Sequence, residues 1–343
     1  MEDIRLNVPL LRKRVPNLTT AAKEVGIRPA TVSNLCTGKI DLGKAEVKTL
    51  VGLAKLANCT VDELILRGEK MKMIETGIKA LDFFAPIVKY GSTGIVARPG
   101  MGQLVIVAEL LHRYQEQNLS TVFLVPSGSP AELEGITELA SYLTETIEET
   151  ITKLKEIGKE AVLVTDKSHV DSGALFEIQE QLGHESLTTL LVDLSGEAVD
   201  DDFPFGPLET VWQLDADLAA RHQYPALSPL HSTSSLLEDA QLDERHFQLR
   251  QRTQKVLRRY RELRSLVQVR GLDKFSEDDL ATYRKGELLE AYFTQAFYTA
   301  EEFTGQKGQT VPLEQTLADV ESILNGQANH RSIEELQFIG ALS

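Results

Sequence analysis

The stretch "TGIVARPGMGQLVIVAEL", residues 93–110, runs from an apolar strand through a glycine-bearing turn into a helix, the outline of a phosphate-binding loop. Where the pattern G-x-x-x-x-G-K-[ST] has Lys and then Ser or Thr, this chain has Gln103 and Leu104. Gly100 and Gly102 still let backbone N–H groups face an anion beneath a helix N-terminus, and Arg98 offers that anion one positive charge. The stretch therefore predicts an α/β core, and it raises the question of what such a loop does without its lysine.

The rest of the chain bounds the answer. At 343 residues, 42% hydrophobic and 25% charged, it has the composition of a soluble globular protein of two to three domains. It has no apolar run long enough to span a bilayer, and its first residues lack the apolar centre of a signal peptide, so a cytoplasmic protein without membrane contact is expected. Cys36 and Cys59 match neither a disulfide framework nor a zinc spacing, and the seven histidines are scattered, so no metal site is expected. The net charge of −15 is unevenly spread: residues 1–70 carry +4 and the remainder −19.

Within the basic part, "NLTTAAKEVGIRPATVSNLCTGK", residues 17–39, breaks into two short helical segments around Gly26, a residue suited to the positive φ of a tight helix exit. Pro29 suits the first position of the second segment, and Val32 with Leu35 form its buried stripe. Its other face, Ala30, Thr31, Ser33 and Asn34, is small and polar, with Arg28 and Lys39 at the ends. "EVKTLVGLAKLANCTVDELIL", residues 46–66, supplies an amphipathic helix and a T-x-x-E capping box at Thr60 and Glu63. The pattern of residues 5–68 resembles the Cro and phage-repressor type of helix-turn-helix domain. The resemblance implies an all-α five-helix bundle that binds double-stranded DNA as a dimer, with Arg28, Ala30, Thr31, Ser33, Asn34 and Lys39 as contacts. The competing reading is a helical adaptor for protein contact.

The middle of the chain changes character. "IETGIKALDFFAPIV" leads into the loop, "YPALSPLHSTSS" follows at residues 224–235, and "QAFYTAEEFTGQKGQTVPLE" at residues 295–314. An acidic turn at Asp273–Asp279 lies in the helical region between the last two. These four ordered landmarks resemble the catalytic beta subunit of F-type ATP synthase. The resemblance implies a RecA-like core with a mostly parallel sheet, followed by a helical C-terminal domain. Three domains are expected: residues 1–70, 74–234 and 235–343.

What the resemblance implies for the site is mostly loss. A working site uses the loop lysine on the β- and γ-phosphates and a hydroxyl on Mg²⁺; Gln103 and Leu104 supply neither. Gly128 and Ser129 stand where the family has the glutamate that activates water, and Ser235 stands where it has an arginine. Asp166 matches the acidic residue of the neighbouring strand and is the one candidate metal ligand, with a structural acceptor as the alternative reading. Tyr224 and Phe303, with Phe297 close by, match the aromatic residues that sandwich adenine, which leaves two readings open: they fill a core, or ATP or ADP is still held by Arg98, Gly100, Gly102, Gln103 and these three rings. A pseudo-ATPase without catalytic residues is expected.

The arginine-rich helix of residues 245–270 reads as a solvated or contact face, with an auxiliary acidic-partner surface as the alternative. Together these readings predict an oligomeric DNA-binding transcriptional regulator whose ATP-synthase-like module senses nucleotide or assembles copies. The alternatives are a nucleotide-driven ATPase acting on nucleic acid and a factor that assembles with ATP synthase subunits.

Overall fold

The computed structural model describes residues 4–15, 18–36, 40–67, 72–126, 133–158, 160–182, 187–200, 205–206, 208–238, 243–271 and 274–342. The chain divides into two compact units, Met1–Lys72 with Ser235–Glu244, and Met73–Ser234 with Arg245–Ser343.

In the first unit, helices Val8–Arg14, Leu18–Ala21, Pro29–Cys36, Val47–Leu56 and Val61–Leu64 enclose a core that includes Leu11, Ala22, Val32, Leu53 and Leu64. Gly26, at φ 75°, turns the chain out of the 3₁₀ segment Ala22–Val25, and Ile27 is buried behind it. The capping box closes in both directions: Thr60 Oγ1 accepts from the Glu63 N–H at 3.2 Å, and the Glu63 carboxylate accepts from the Thr60 N–H at 2.7 Å. The unit is not all-α as expected. Strand β1 (Ile4–Leu6) pairs antiparallel with β2 (Ile65–Arg67), tying its two ends together. Both strands have only three residues, too few for an alternating pattern to announce them.

The second unit is mixed α/β. Strands β3 (Met73–Ile74) and β4 (Ile87–Val88) form a small antiparallel pair. The main sheet is built from β5 (Ser92–Val96), β6 (Ser120–Leu124), β7 (Tyr142–Thr144), β8 (Ala161–Asp166), β9 (Thr188–Val192), β10 (Thr210–Gln213) and β11 (Thr233–Ser234). Its order is β11-β10-β5-β9-β8-β6-β7, parallel throughout except at β11. Every residue of β8 and β9 is buried, as apolar runs covered on both faces require. Val162, Val164, Leu190 and Val192 face one apolar cluster, and Leu163 and Leu191 face the other. Helices Glu244–Arg270, Glu277–Tyr292 and Leu313–Leu324 form the helical C-terminal region.

The "ETGIKALD" approach to the sheet is held by buried charges. The fully buried Asp82 carboxylate accepts from the Thr76 N–H and hydroxyl at 2.9 and 2.8 Å and from the Gly77 N–H at 2.7 Å. Burial pushes its pKa up to about 7 against those donors. Lys79, also fully buried, donates to the Ile339 and Gly340 carbonyls at 2.8 and 3.2 Å and lies 4.2 Å from the Tyr292 ring centroid. Burial pushes the Lys79 pKa down to about 7, opposed by the charge of Asp319.

Because the folded pKa of Lys79 lies below its ordinary 10.5, the unfolded chain binds the extra proton between those two values, and stability rises with pH across that window. The stability of the wild type relative to Lys79→Met is expected to grow on going from about pH 7 to about pH 9. Thermal melts of both proteins across that range measure the difference, and parallel curves would refute the assignment.

Candidate functional site

The loop Ala97–Gly102 leaves β5 at its C-terminal end and enters helix Gln103–Glu116. Gly100 and Gly102 have φ of 81° and 93°, the left-handed region that a side chain strains to occupy. A Cβ on Gly102 would lie 3.4 Å from Tyr224 Cε1, so that ring rests on the turn. The segment after β9 closes from another side: a Cβ on Gly196 would come within 2.2 Å of Pro99 Cδ. Arg98, Pro99 and Gly100 are exposed, whereas Gln103 is only 6% exposed. The Gln103 side chain makes no hydrogen bond with any described residue.

The carboxylates at the strand ends are engaged. Asp166 ends β8 and accepts from the Ser168 N–H at 2.9 Å and the Leu194 N–H at 3.0 Å. Asp193, just past β9, accepts from the Ser195 N–H and hydroxyl at 3.0 and 2.6 Å and from the Ala198 N–H at 2.6 Å. These bonds knit the loops after β8 and β9 together and hold their backbone. Among the described residues, no group of three His, Cys, Asp or Glu side chains is arranged to hold a metal ion. Gly128, Ser129 and Asp273 lie outside the described residues.

The three aromatic rings do not share one environment. Phe297 is buried in the main apolar cluster. Tyr224, half-buried, covers Gly102, and Phe303 is 91% exposed on the short helix Glu301–Thr304. Val105, unremarked in the sequence, is also exposed, one helical turn before Glu109. Its only signal was its place next to the Gln103–Leu104 pair.

Glu109 and Arg113 lock this helix to the C-terminal region. Both are buried, and Arg113 Nε donates to Glu109 Oε1 at 2.7 Å. Glu109 also accepts from the Tyr298 and Thr299 N–H groups at 3.2 and 3.0 Å and from the Thr299 hydroxyl at 3.0 Å. The Arg113 guanidinium donates to the Thr76 carbonyl, the Thr310 hydroxyl and the Gln309 carbonyl at 3.1, 3.1 and 2.7 Å.

A small open cleft beside Pro225 is lined by Phe84, Leu227, Leu257, Tyr260 and Phe293 among others. Arg261 and Glu290 also line it and belong to an ion-pair network: Arg221 pairs with Glu290 and Asp217 at 2.5 and 2.9 Å, Arg264 with Asp217 at 2.5 Å, and Arg261 with Asp215. Arg245 pairs with Glu314 and Glu321, and Arg259 with Asp279 and Glu262. Much of the basic helix is thus balanced within its own unit.

The family described as the C-terminal domain of V and A type ATP synthase matches residues 237–330. A solved structure described as a unique ATP synthase subunit NeqB from Nanoarcheaum equitans matches with a TM-score of 0.58 and 18% identity, over 75% of this chain and 76% of that one. The chain carries an ATP-synthase-like module. The matched domain is that of the V and A types, whereas the motifs had pointed to the F-type beta subunit.

These matches overturn the expectation of a DNA-binding transcriptional regulator. Both matches are to ATP synthase proteins, and neither points to double-stranded DNA as a partner. Arg28, Ala30 and Ser33 are exposed and Thr31 and Asn34 half-buried on or beside helix Pro29–Cys36, while Lys39 lies outside the described residues. Without DNA these residues lose the partner that gave them a role. A short helix with a small polar face is what any compact helical unit presents to solvent, so the pattern did not discriminate. Among the described residues, no helix is long and apolar enough to cross a membrane.

Removing one member of a buried ion pair strands the other, at a cost of about 3–5 kcal/mol. Arg113→Met is therefore expected to destabilise the second unit by about that amount, while Arg258→Met, an exposed change, leaves it within about 0.5 kcal/mol. Urea unfolding of both variants measures the contrast, and equal midpoints would contradict it.

Proposed function

We propose that this protein is a non-catalytic, ATP-synthase-related factor that acts by associating with protein subunits of a rotary ATP synthase. Its core is read as a RecA-like scaffold, and its N-terminal unit as a helix-turn-helix-shaped adaptor for protein contact. The observation that carries the non-catalytic reading is the engagement of Asp166 and Asp193 by backbone N–H groups beside a loop that has Gln103 and Leu104 in place of Lys and a hydroxyl residue. Phosphoryl transfer depends on positioned cations and a metal; this loop has no lysine, and Asp166 and Asp193 already serve the backbone.

A second reading is favoured by the buried, unengaged Gln103 amide under a glycine turn on which Tyr224 rests. On this reading the loop holds ATP or ADP without Mg²⁺, through the backbone N–H groups at Gly100 and Gly102, the amide of Gln103, the charge of Arg98 and stacking on Phe303. Phe297 belongs to the core and takes no part.

The purified chain is expected to release no phosphate from ATP above a buffer control. The Gln103→Lys/Leu104→Thr variant is expected to stay inactive, because Asp166 remains bound to Ser168 and Leu194. It is expected to co-elute with purified V/A-type catalytic-head subunits in gel filtration. Mg²⁺-dependent turnover by the wild type would overturn the non-catalytic reading, and failure to co-elute would overturn the association. Calorimetric titration of ADP in EDTA tests the second reading, which predicts the same affinity with and without Mg²⁺.

A further inference from the structure

Helix Val47–Leu56 buries Leu50, Leu53 and Ala54 in the N-terminal unit. Beside that buried stripe, on its solvent-facing flank, lie Val47 and Val51, 73% and 51% exposed and one helical turn apart. Lys48 and Lys55 fall on that same side by helical period and are exposed, as is Lys44 just before the helix. None of these three lysines makes an ion pair with a described residue.

Two solvent-facing valines are poor choices for the helix itself, since β-branched side chains lose rotamer freedom there. They also expose apolar surface that buries nothing within the unit. The face therefore has an apolar strip with lysines along its outer edge, in the N-terminal seventy residues, whose net charge is positive while that of the remainder is negative.

We propose that this face docks an acidic amphipathic helix of a partner protein. Two apolar side chains of the partner, one turn apart, pack on Val47 and Val51, while its flanking carboxylates reach Lys48 and Lys55. Such helix-on-helix recognition reads anchors at this spacing. The apolar contact sets residence time, and the lysines set approach rate and salt dependence. The inference goes beyond the proposed function and does not depend on the loop at Gln103.

The test uses the full chain and a fluorescently labelled synthetic helical peptide of about 18 residues, with leucines at i, i+4 spacing and glutamates elsewhere. Anisotropy titration is expected to show saturable binding that weakens as salt is raised. Val47→Ser/Val51→Ser and Lys48→Glu/Lys55→Glu are each expected to weaken it by about tenfold, with circular dichroism unchanged. Absence of saturable binding overturns the proposal. So does wild-type affinity in the valine variant, which would mark a general polyanion surface. Concentration-dependent dimerisation that Val51→Glu abolishes would also overturn it, by giving the face to a second copy of the chain.

Discussion

The second unit is organised around the buried pair of Glu109 and Arg113. An ionised pair so far from water is tolerable only if its remaining donors and acceptors are filled, and here they are filled by groups distant in sequence. Glu109 takes the N–H groups of Tyr298 and Thr299, and Arg113 takes carbonyls at Thr76 and Gln309. Helix Gln103–Glu116 is thereby fixed against both the entry to the sheet and the segment that carries Phe303. The position of the loop at Gly102 follows from that fixation.

This arrangement explains how the loop keeps its shape without a charged side chain at positions 103 and 104. Backbone geometry at Gly100 and Gly102 and the packing of Pro99 against Gly196 need no lysine. Asp166 and Asp193 stabilise neighbouring loops through backbone N–H groups, a role a carboxylate fills as well as it fills a metal shell. The shape of the loop therefore does not depend on which side chains stand at positions 103 and 104, because backbone geometry and packing hold it.

What was legible in the sequence was local. The strand-turn-helix at residues 92–116, the capping box at Thr60 and Glu63, and the turn at Gly26 each announce themselves within a few residues. What was not legible needed partners far along the chain: Lys79 meets carbonyls at residues 339 and 340, and β1 meets β2 some sixty residues on. The aromatics illustrate the limit. Phe297 and Phe303 belong to one quoted motif, yet one is core and the other faces solvent, a difference set by packing that no spacing rule contains. The DNA-binding reading failed for a related reason. A basic surplus and a small polar helix face specify an exposed basic unit, and leave the chemistry of what meets it open.

Charge separation sharpens that last point. In the second unit Arg245, Arg259, Arg261 and Arg264 are answered by carboxylates of the same unit, while Arg252, Lys255 and Arg258 on the same helix stay exposed within a strongly acidic unit. In the first unit Lys44, Lys48 and Lys55 have no such answer among the described residues. Exposed charges are screened within about 8–10 Å at physiological salt, so an approaching surface feels the unit it touches rather than the net −15 of the chain. The two units therefore present opposite electrostatic preferences. An acidic partner is drawn to the helix at Val47–Leu56 even though the protein as a whole would repel it.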